Sequence, residues 1–290
     1  MNGTVALITG AANGIGAETA RRLHARGAKL ALTDVDQAAL SQLAADLGEN
    51  RVLTVAADVR DLTAMQAAAD KAVERFGGID VVVANAGIAT YGSVLHVDPT
   101  AFKTLIDVNV VGVFNTVRAA LPAVIERKGY VLIVSSMYAY APQPGGASYC
   151  VSKAGVEHLA NTLRVEVAHL GVEVGSAHMA FIDTPMIRDL HSDLRSFTKA
   201  LSKLPGPMGR TTSVQKCAEA FVQGIEGRKR RVNCPGWVGV LRWLRPVLST
   251  PLGEAQARRI APDLLAEMDA EAAALGRSMS ARTDALENRG

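Results

Sequence analysis

The stretch that most narrows what this chain can fold into is Thr4 to Gly27, TVALITGAANGIGAETARRLHARG. Thr4 to Thr9 is an apolar, β-rich run without alternation, the pattern of a strand covered on both faces. Gly10 ends it. After Asn13, Gly14, Ile15 and Gly16, the residues Thr19, Ala20, Leu23 and His24 recur at helical spacing until Gly27 stops the helix. Strand, glycine turn and helix in that order let backbone approach a pyrophosphate, with the free N–H groups and positive dipole end of the helix facing it. Three glycines also make an ordinary tight turn, but the flanking strand and helix favour phosphate.

The rhythm then repeats. Lys29 to Thr33 reads as a second strand ending in Asp34, eighteen residues beyond Gly16. A carboxylate there accepts both hydroxyls of an adenosine ribose and repels a 2′-phosphate, so NAD is expected and NADP is disfavoured. Val35 after it, and Asn13 where a basic residue could stand, agree. The competing reading of Asp34 is a solvated helix cap, a role that suits Asp36. Arg51 to Ala57 is a third strand followed by Asp58 and Val59, then a helix from Leu62 to Phe76. Ile79 to Ala84 is a fourth, followed by Asn85, Ala86 and Gly87. Repeated βα units require parallel strands and right-handed crossovers. The expected fold is α/β, a doubly wound, Rossmann-like parallel sheet of about seven strands with helices on both faces. The later strands are YVLIVSS ending at Ser135 and Ser136, Val172 to His178, and Arg231 to Cys234 after a helix from Thr212 to Glu226. Asp98 and Pro99 start a long helix that Gly129 closes, with Asn109 in its middle. An asparagine there is either buried with its hydrogen bonds satisfied or functional.

Of five tyrosines, only Tyr149 has a lysine, Lys153, four residues on. On a helix beginning near Gly146 the two share a face. A nearby positive charge favours phenolate and suits proton exchange with an alcohol or ketone. Chance can produce one such pair, so it carries weight only with partners.

The partners are present, and together these motifs resemble the classical short-chain dehydrogenases/reductases over about residues 4–235. The family pattern is met by Thr9-Gly10-x-x-x-Gly14-Ile15-Gly16, by Ala84-Asn85-Ala86-Gly87, by Asn109, and by Ser136 thirteen residues before Tyr149-x-x-x-Lys153. The resemblance implies that Tyr149 exchanges the proton with the alcohol oxygen and that Ser136 hydrogen-bonds the carbonyl oxygen. It implies that Lys153 lowers the tyrosine pKa and binds the nicotinamide ribose, and that Asn109 holds a water in a proton path. Asp58 and Val59 would flank the adenine, Asn85, Ala86 and Gly87 would line the cofactor cleft, and Ile182 and Thr184 would complete it. Met179 and Ala180 stand where the family has Pro-Gly, which puts the nicotinamide pocket in question, since a Cβ penalises φ > 0.

Residues 1–235 are thus expected to form an NAD-binding domain with a substrate lid at about 185–212, and 236–290 a C-terminal extension. In the lid, Leu190, Leu194, Phe197, Leu201, Leu204 and Met208 recur at near-helical spacing, either covering the substrate or packing on the domain. No arginine cluster marks it for an anionic substrate, so a lipophilic secondary alcohol or its ketone is expected. Met137, Tyr138 and Tyr140 are expected to wall the same pocket. From Arg228 to Arg259 there are eight basic residues against one acid, Glu254. Within that block Trp237, Val240, Leu241, Leu244, Val247 and Leu248 recur at helical spacing, with Pro246 interrupting. Such a segment suits an anionic membrane surface, or else packs on the cleft or at a subunit interface with its arginines solvated. Pro262 to Leu275 reads as a last short helix and Arg277 to Gly290 as a polar tail with little to order it.

The remaining readings exclude more than they identify. A formal charge of +3 makes no case for nucleic acid, and the cysteines 150, 217 and 234 lack metal-ligand spacing, so no metal is expected. Odd, scattered cysteines and an N-terminus without a leader pattern suit a reduced cytoplasmic protein. No uninterrupted run of about 18 apolar residues exists. The family usually assembles as homodimers or homotetramers. The expected activity is NAD-dependent alcohol/ketone oxidoreduction. The rivals are a non-catalytic NAD(H)-sensing module and a membrane-surface binding protein, neither of which needs a tuned phenol.

Overall fold

The computed structural model describes residues 1–204 and 206–287. Its strands are β1 (Val5–Thr9), β2 (Lys29–Asp34), β3 (Val52–Ala56), β4 (Val81–Ala84), β5 (Tyr130–Val134), β6 (Glu173–Met179) and β7 (Arg231–Cys234). They form one parallel sheet in the order β3-β2-β1-β4-β5-β6-β7. The chain steps outward from β1 to β3, then returns so that β4 lies beside β1. Strand order therefore reverses between β1 and β4, and a crevice opens there at the carboxyl ends.

The missing alternation in β1 has a direct cause. Ile8 joins a core with Leu23 of α1 (Gly14–Ala25), Leu40 of α2 (Gln37–Leu47) and Phe221 of α9 (Val214–Glu226). Its neighbour Leu7 points the other way, to Met65 of α3 (Leu62–Phe76), Val117 of α5 (Gly112–Glu126) and Val156 of α6 (Ala147–Val167). Alternate residues serve opposite faces, so every position must be apolar. Asp36 caps α2 by accepting from Ala39 N, as Asp61 does for α3 and Asp98 for α4 (Pro99–Ile106).

The helix carrying Asn109 is continuous from Pro99 to Glu126 but passes through a π-helical turn at Asp107–Val111. An 18-residue window of it, with a mean hydropathy of 1.5, is long and apolar enough to cross a bilayer, yet 56% of that window is buried in the protein. Val113, Ala120 and Val124 pack it on the sheet.

A third apolar cluster joins the lid to the extension. Leu194, at the junction of α7 (Pro185–Asp193) and α8 (Arg195–Ser202), and Phe197 and Leu201 of α8 pack with Val238 and Leu241 of α10 (Val238–Leu248) and Met268 of α11 (Pro251–Leu275). Glu271 of α11 accepts from the backbone N–H groups of Arg195 and Ser196 and from Ser196 Oγ, capping α8. The extension therefore anchors α8.

Three expectations for this end need correction. Pro246 does not interrupt α10, and the last long helix begins at Pro251 and runs through Pro262. Both prolines are exposed, so water can take the carbonyls they leave without a donor. Arg277–Glu287 is ordered rather than a loose tail, ending in α12 (Ala281–Glu287); residues 288–290 lie outside the described residues. The basic block is also less uniform than its count suggests. Arg231 is drawn inward to Glu157 at 3.0 Å, and Arg258 pairs with Glu254 at 2.6 Å.

Candidate active site

The glycine turn is shaped by close backbone approach. Gly10 has φ +63°, and a Cβ there would lie 2.7 Å from Ala86 Cα; one on Gly16 would lie 2.2 Å from Gly10 O. Asn85 clamps the turn to the end of β4, its Nδ2 donating to Thr9 O and Gly10 O at 3.0 Å each. Thr9 Oγ1 returns the contact by accepting from the N–H groups of Asn85 and Ala86. Asn13 is the N-cap of α1 but makes no capping hydrogen bond, so the first-turn N–H groups lack an acceptor from the cap and the turn carries no acid. An anionic diphosphate fits that vacancy in donor pairing.

Asp34 stands beside the turn, not as a cap. Its carboxylate accepts from Ala12 N and Asp36 N, each at 3.0 Å. Burial raises its pKa against those backbone donors. A cavity of about 270 Å³ runs from Asp34, Asp58 and Val59 past Gly10, Asn13, Gly14 and Ile15, along Asn85, Ala86 and Gly87, to Thr184, Tyr149 and Lys153. These residues can hold a dinucleotide, with the ribose diol at Asp34 and the other ribose at Lys153. Ile182 and Gly16 do not line the cleft. Ile182 is buried in the core, where its carbonyl accepts from Thr184 Oγ1, and Gly16 lies beneath the turn.

Tyr149 is shared by this cavity and a second one of about 60 Å³. The second cavity holds Ser136, Tyr138 and Phe181 on one side, Met186, Ile187 and Leu190 of α7 opposite, and Met268 from the extension. Met137 and Tyr140 are buried behind it and do not form its wall as expected; Tyr140 instead stacks on His178.

Lys153 is held by the end of β5. Ser135 Oγ donates to Lys153 O at 2.8 Å, and Lys153 Nζ donates to Val134 O at 3.1 Å. Burial lowers the Lys153 pKa to about 8. Burial also pushes Tyr149 up to about 12, partly opposed by the Ser136 hydroxyl beside it. The implied lowering by Lys153, whose Nζ lies 5.4 Å from the phenol ring centroid, does not set the phenol's pKa here; desolvation dominates and the Ser136 hydroxyl opposes it.

Asn109 lies behind the cleft. Its Oδ1 accepts from Ile88 N at 2.8 Å, and its Nδ2 donates to Ile88 O and Ser152 Oγ. The amide donors are spent, leaving one Oδ1 lone pair for a water. The reading of this residue as buried and hydrogen-bonded is met, and it sits in a π turn next to Gly87.

A model of the family described as short chain dehydrogenase matches residues 4–195. The chain belongs to that family. This short-chain dehydrogenase is 36% identical over 221 residues to cis-4-hydroxycyclohexanecarboxylate dehydrogenase of Sinomonas cyclohexanicum, covering 75% of this chain and 87% of the relative. It is similar to the NADH complex of 3-ketoacyl-(acyl-carrier-protein) reductase from Brucella melitensis, with TM-score 0.72 and 29% identity over 80% of this chain and 96% of that one. A short chain dehydrogenase from Mycobacterium paratuberculosis bound to NAD matches with TM-score 0.70 and 28% identity over 80% and 96% of the two chains. The chain is an oxidoreductase of this family.

The departure at Met179-Ala180 carries no strain in this dehydrogenase. Among the described non-glycine residues only Lys128 and Arg228 have positive φ, and Ala180 N continues the ladder to Cys234 O at 3.0 Å. Met179 lines the first cavity and Ala180 the second. Sequence reasoning missed His178, buried beneath Ser136, and the contributions of Ser280, Arg282, Thr283 and Glu287 to the first cavity. His178 had a signal: a histidine near the end of an otherwise apolar or small-residue strand whose positions 174–179 are buried. The tail had none.

Proposed function

We propose that this dehydrogenase interconverts a lipophilic secondary alcohol and its ketone with NAD(H), NAD being favoured over NADP. The observation that carries it is Tyr149, which lies where the dinucleotide-sized cleft meets the apolar cavity, with Ser136 and Lys153 beside it. Bound NAD would supply the hydride acceptor. Tyr149 moves the proton at the substrate oxygen, Ser136 donates to that oxygen as charge develops, and Lys153 stabilises the phenolate while it is charged. The phenol stays protonated to about 12, so alcohol oxidation gains rate as pH rises, and ketone reduction meets a loaded acid at neutral pH.

Asp34 supports the preference for NAD, since its carboxylate would face a 2′-phosphate. The small cavity is lined mainly by apolar side chains and holds no lysine or arginine. The relative's substrate, cis-4-hydroxycyclohexanecarboxylate, supports a secondary alcohol on a ring, while its carboxylate would find no lysine or arginine in the small cavity of this chain. Oxidation is the favoured direction on the ground of cellular NAD redox state. The test is a screen of cyclic and aliphatic secondary alcohols with NAD and NADP on wild type and Tyr149→Phe. Turnover confined to small charged hydroxy acids, or activity unchanged in Tyr149→Phe, would overturn the reading.

The assembly we infer is a cytoplasmic homodimer or homotetramer joined through the outer faces of α5 and α6. Phe114 is 50% and Val165 78% exposed there, which gives a monomer more apolar surface than a solvated face needs. A peripheral membrane contact is supported by α10, where Trp243 is 75% exposed beside Val240 and Val247 and next to Arg242 and Arg245. Co-sedimentation with anionic vesicles tests the contact: a Trp243→Ser/Val247→Ser variant is expected to stay in the supernatant while wild type pellets. Wild type remaining unbound would end the membrane idea.

A further inference from the structure

Sequence offers no reason for residues 277–287 to approach the site, yet they do. Gly276, at φ +65°, ends α11 and turns the chain back toward the sheet. Met279 bridges Thr90 in antiparallel pairing. Ser278 O accepts from Tyr91 N at 2.9 Å, Met279 O accepts from Tyr91 Oη at 2.8 Å, and Ser278 Oγ accepts from Asp98 N at 3.1 Å. Ser278, Met279 and Ser280 are buried. Beyond this anchor, α12 lies along the mouth of the first cavity and contributes Arg282, Thr283, Leu286 and Glu287 to its lining.

Both ends of α12 are tied across that mouth. Arg282 pairs with Asp189 of α7 at 3.1 Å, and Arg277, just before the helix, pairs with Asp193 at 2.9 Å. At the far end Glu287 accepts from Arg60 at 2.7 Å, and the same guanidinium holds Asp58 at 2.6 Å. The strap therefore runs from the lid side of the trench to the Asp58 end. A helix of seven residues has little stability of its own. Its position depends on these ties, which are partly exposed and so screened by salt.

We propose that Arg277–Glu287 is the outer wall of the dinucleotide site: NAD(H) is held beneath α12 and exchanges when the Arg282–Asp189 and Arg60–Glu287 ties open, with the chain hinging beyond the buried Ser278–Ser280 anchor. This rests on the NAD reading given above. It assigns the C-terminal segment to cofactor retention, and it makes release dependent on ionic strength although the reacting atoms lie inside the protein.

Stopped-flow release of NADH, followed by its fluorescence, tests the wall without requiring turnover. Wild type is expected to release NADH faster as salt rises from about 50 to about 500 mM. An Arg282→Ala/Glu287→Gln variant, which leaves the buried anchor intact, is expected to release it about fivefold faster at low salt with little further salt response. Amide hydrogen exchange across 281–287 is expected to slow when wild type is saturated with NADH. Equal release rates and equal salt responses in the two proteins, or no protection of 281–287 by NADH, would overturn the proposal alone. Failure of wild type to bind NADH would overturn the cofactor reading and the wall with it.

Discussion

His178 donates from Nδ1 to the carbonyl oxygen of Ser136 at 3.2 Å, a direction fixed by the carbonyl, which can only accept. Its Nε2 then carries a single lone pair, which Tyr140 Oη and Ser176 Oγ, each at 2.9 Å, share as donors. Burial takes the imidazole down to about 4, so it is neutral at working pH and this tautomer persists. Ser176 Oγ in turn accepts from Arg231, which pairs with Glu157. A buried polar chain thus runs from an ion pair under the sheet to the loop that carries the Ser136 hydroxyl.

His178→Phe keeps the volume and removes both ring nitrogens. The expected result is a fall of about 10- to 100-fold in kcat, with NADH affinity unchanged, because Ser136 loses its backbone anchor while the cofactor cleft is untouched. His178→Asn, whose amide can donate toward Ser136 O, should recover part of the loss. The wild-type pH profile should show no inflection near 6.5. Such an inflection disappearing in His178→Phe would show that the histidine titrates in catalysis and does not merely position.

Gly10→Ala separates space from backbone conformation. Its Cβ would meet Ala86 Cα at 2.7 Å, and φ is +63°. Gly276, left-handed at φ +65°, has nothing within 4 Å, so Gly276→Ala carries the conformational penalty alone. Urea denaturation should show about 1 kcal/mol lost at Gly276 and about 2 to 4 kcal/mol at Gly10. NADH titration should weaken only for Gly10→Ala. Equal losses at the two sites would refute the close-approach account.

Asp34→Ser tests the choice of cofactor. The carboxylate that would oppose a 2′-phosphate is removed, while the serine hydroxyl can still accept one of the two backbone N–H groups from Ala12 and Asp36. The ratio of kcat/KM for NADP to that for NAD should rise roughly tenfold or more. A ratio that stays fixed would mean that discrimination lies elsewhere in the cleft.

The sheet was legible because a strand buried on both faces has no alternation, and β1, β2 and β7 begin and end within a residue of the expected positions. The motif residues were legible because Gly10, Asn85, Tyr149 and Lys153 owe their types to local geometry: a turn, a clamp and one helix face. What escaped depends on distant partners. Nothing local to Glu271 indicates that it caps α8, and nothing in Arg282 or Glu287 points to Asp189 or Arg60. The proline breaks were overread for a similar reason: Pro246 and Pro262 cost a donor, but exposure at both positions lets water replace it. Tyr149 was misjudged in sign, since adjacency to Lys153 is visible in the sequence and desolvation is not.

Lys153 sets function against stability. In the unfolded chain its amine binds a proton up to 10.5, whereas in the folded protein burial lowers that to about 8. Between these values the unfolded state holds more protons, so stability rises with pH across the window, and the burial cost is fully present below about 8. The difference corresponds to about 3 kcal/mol, and losing the hydrogen bond to Val134 O returns about 1 kcal/mol of it. Lys153→Met should therefore be inactive yet more stable than wild type by about 2 kcal/mol at pH 7. That advantage should largely vanish or reverse by about pH 10.5, where the wild-type amine is neutral in the folded state and about half neutral in the unfolded one. Urea titrations of the two proteins at pH 7 and near pH 10.5 measure it, and a variant less stable than wild type at pH 7 would mean that the buried ammonium is compensated by partners other than Val134.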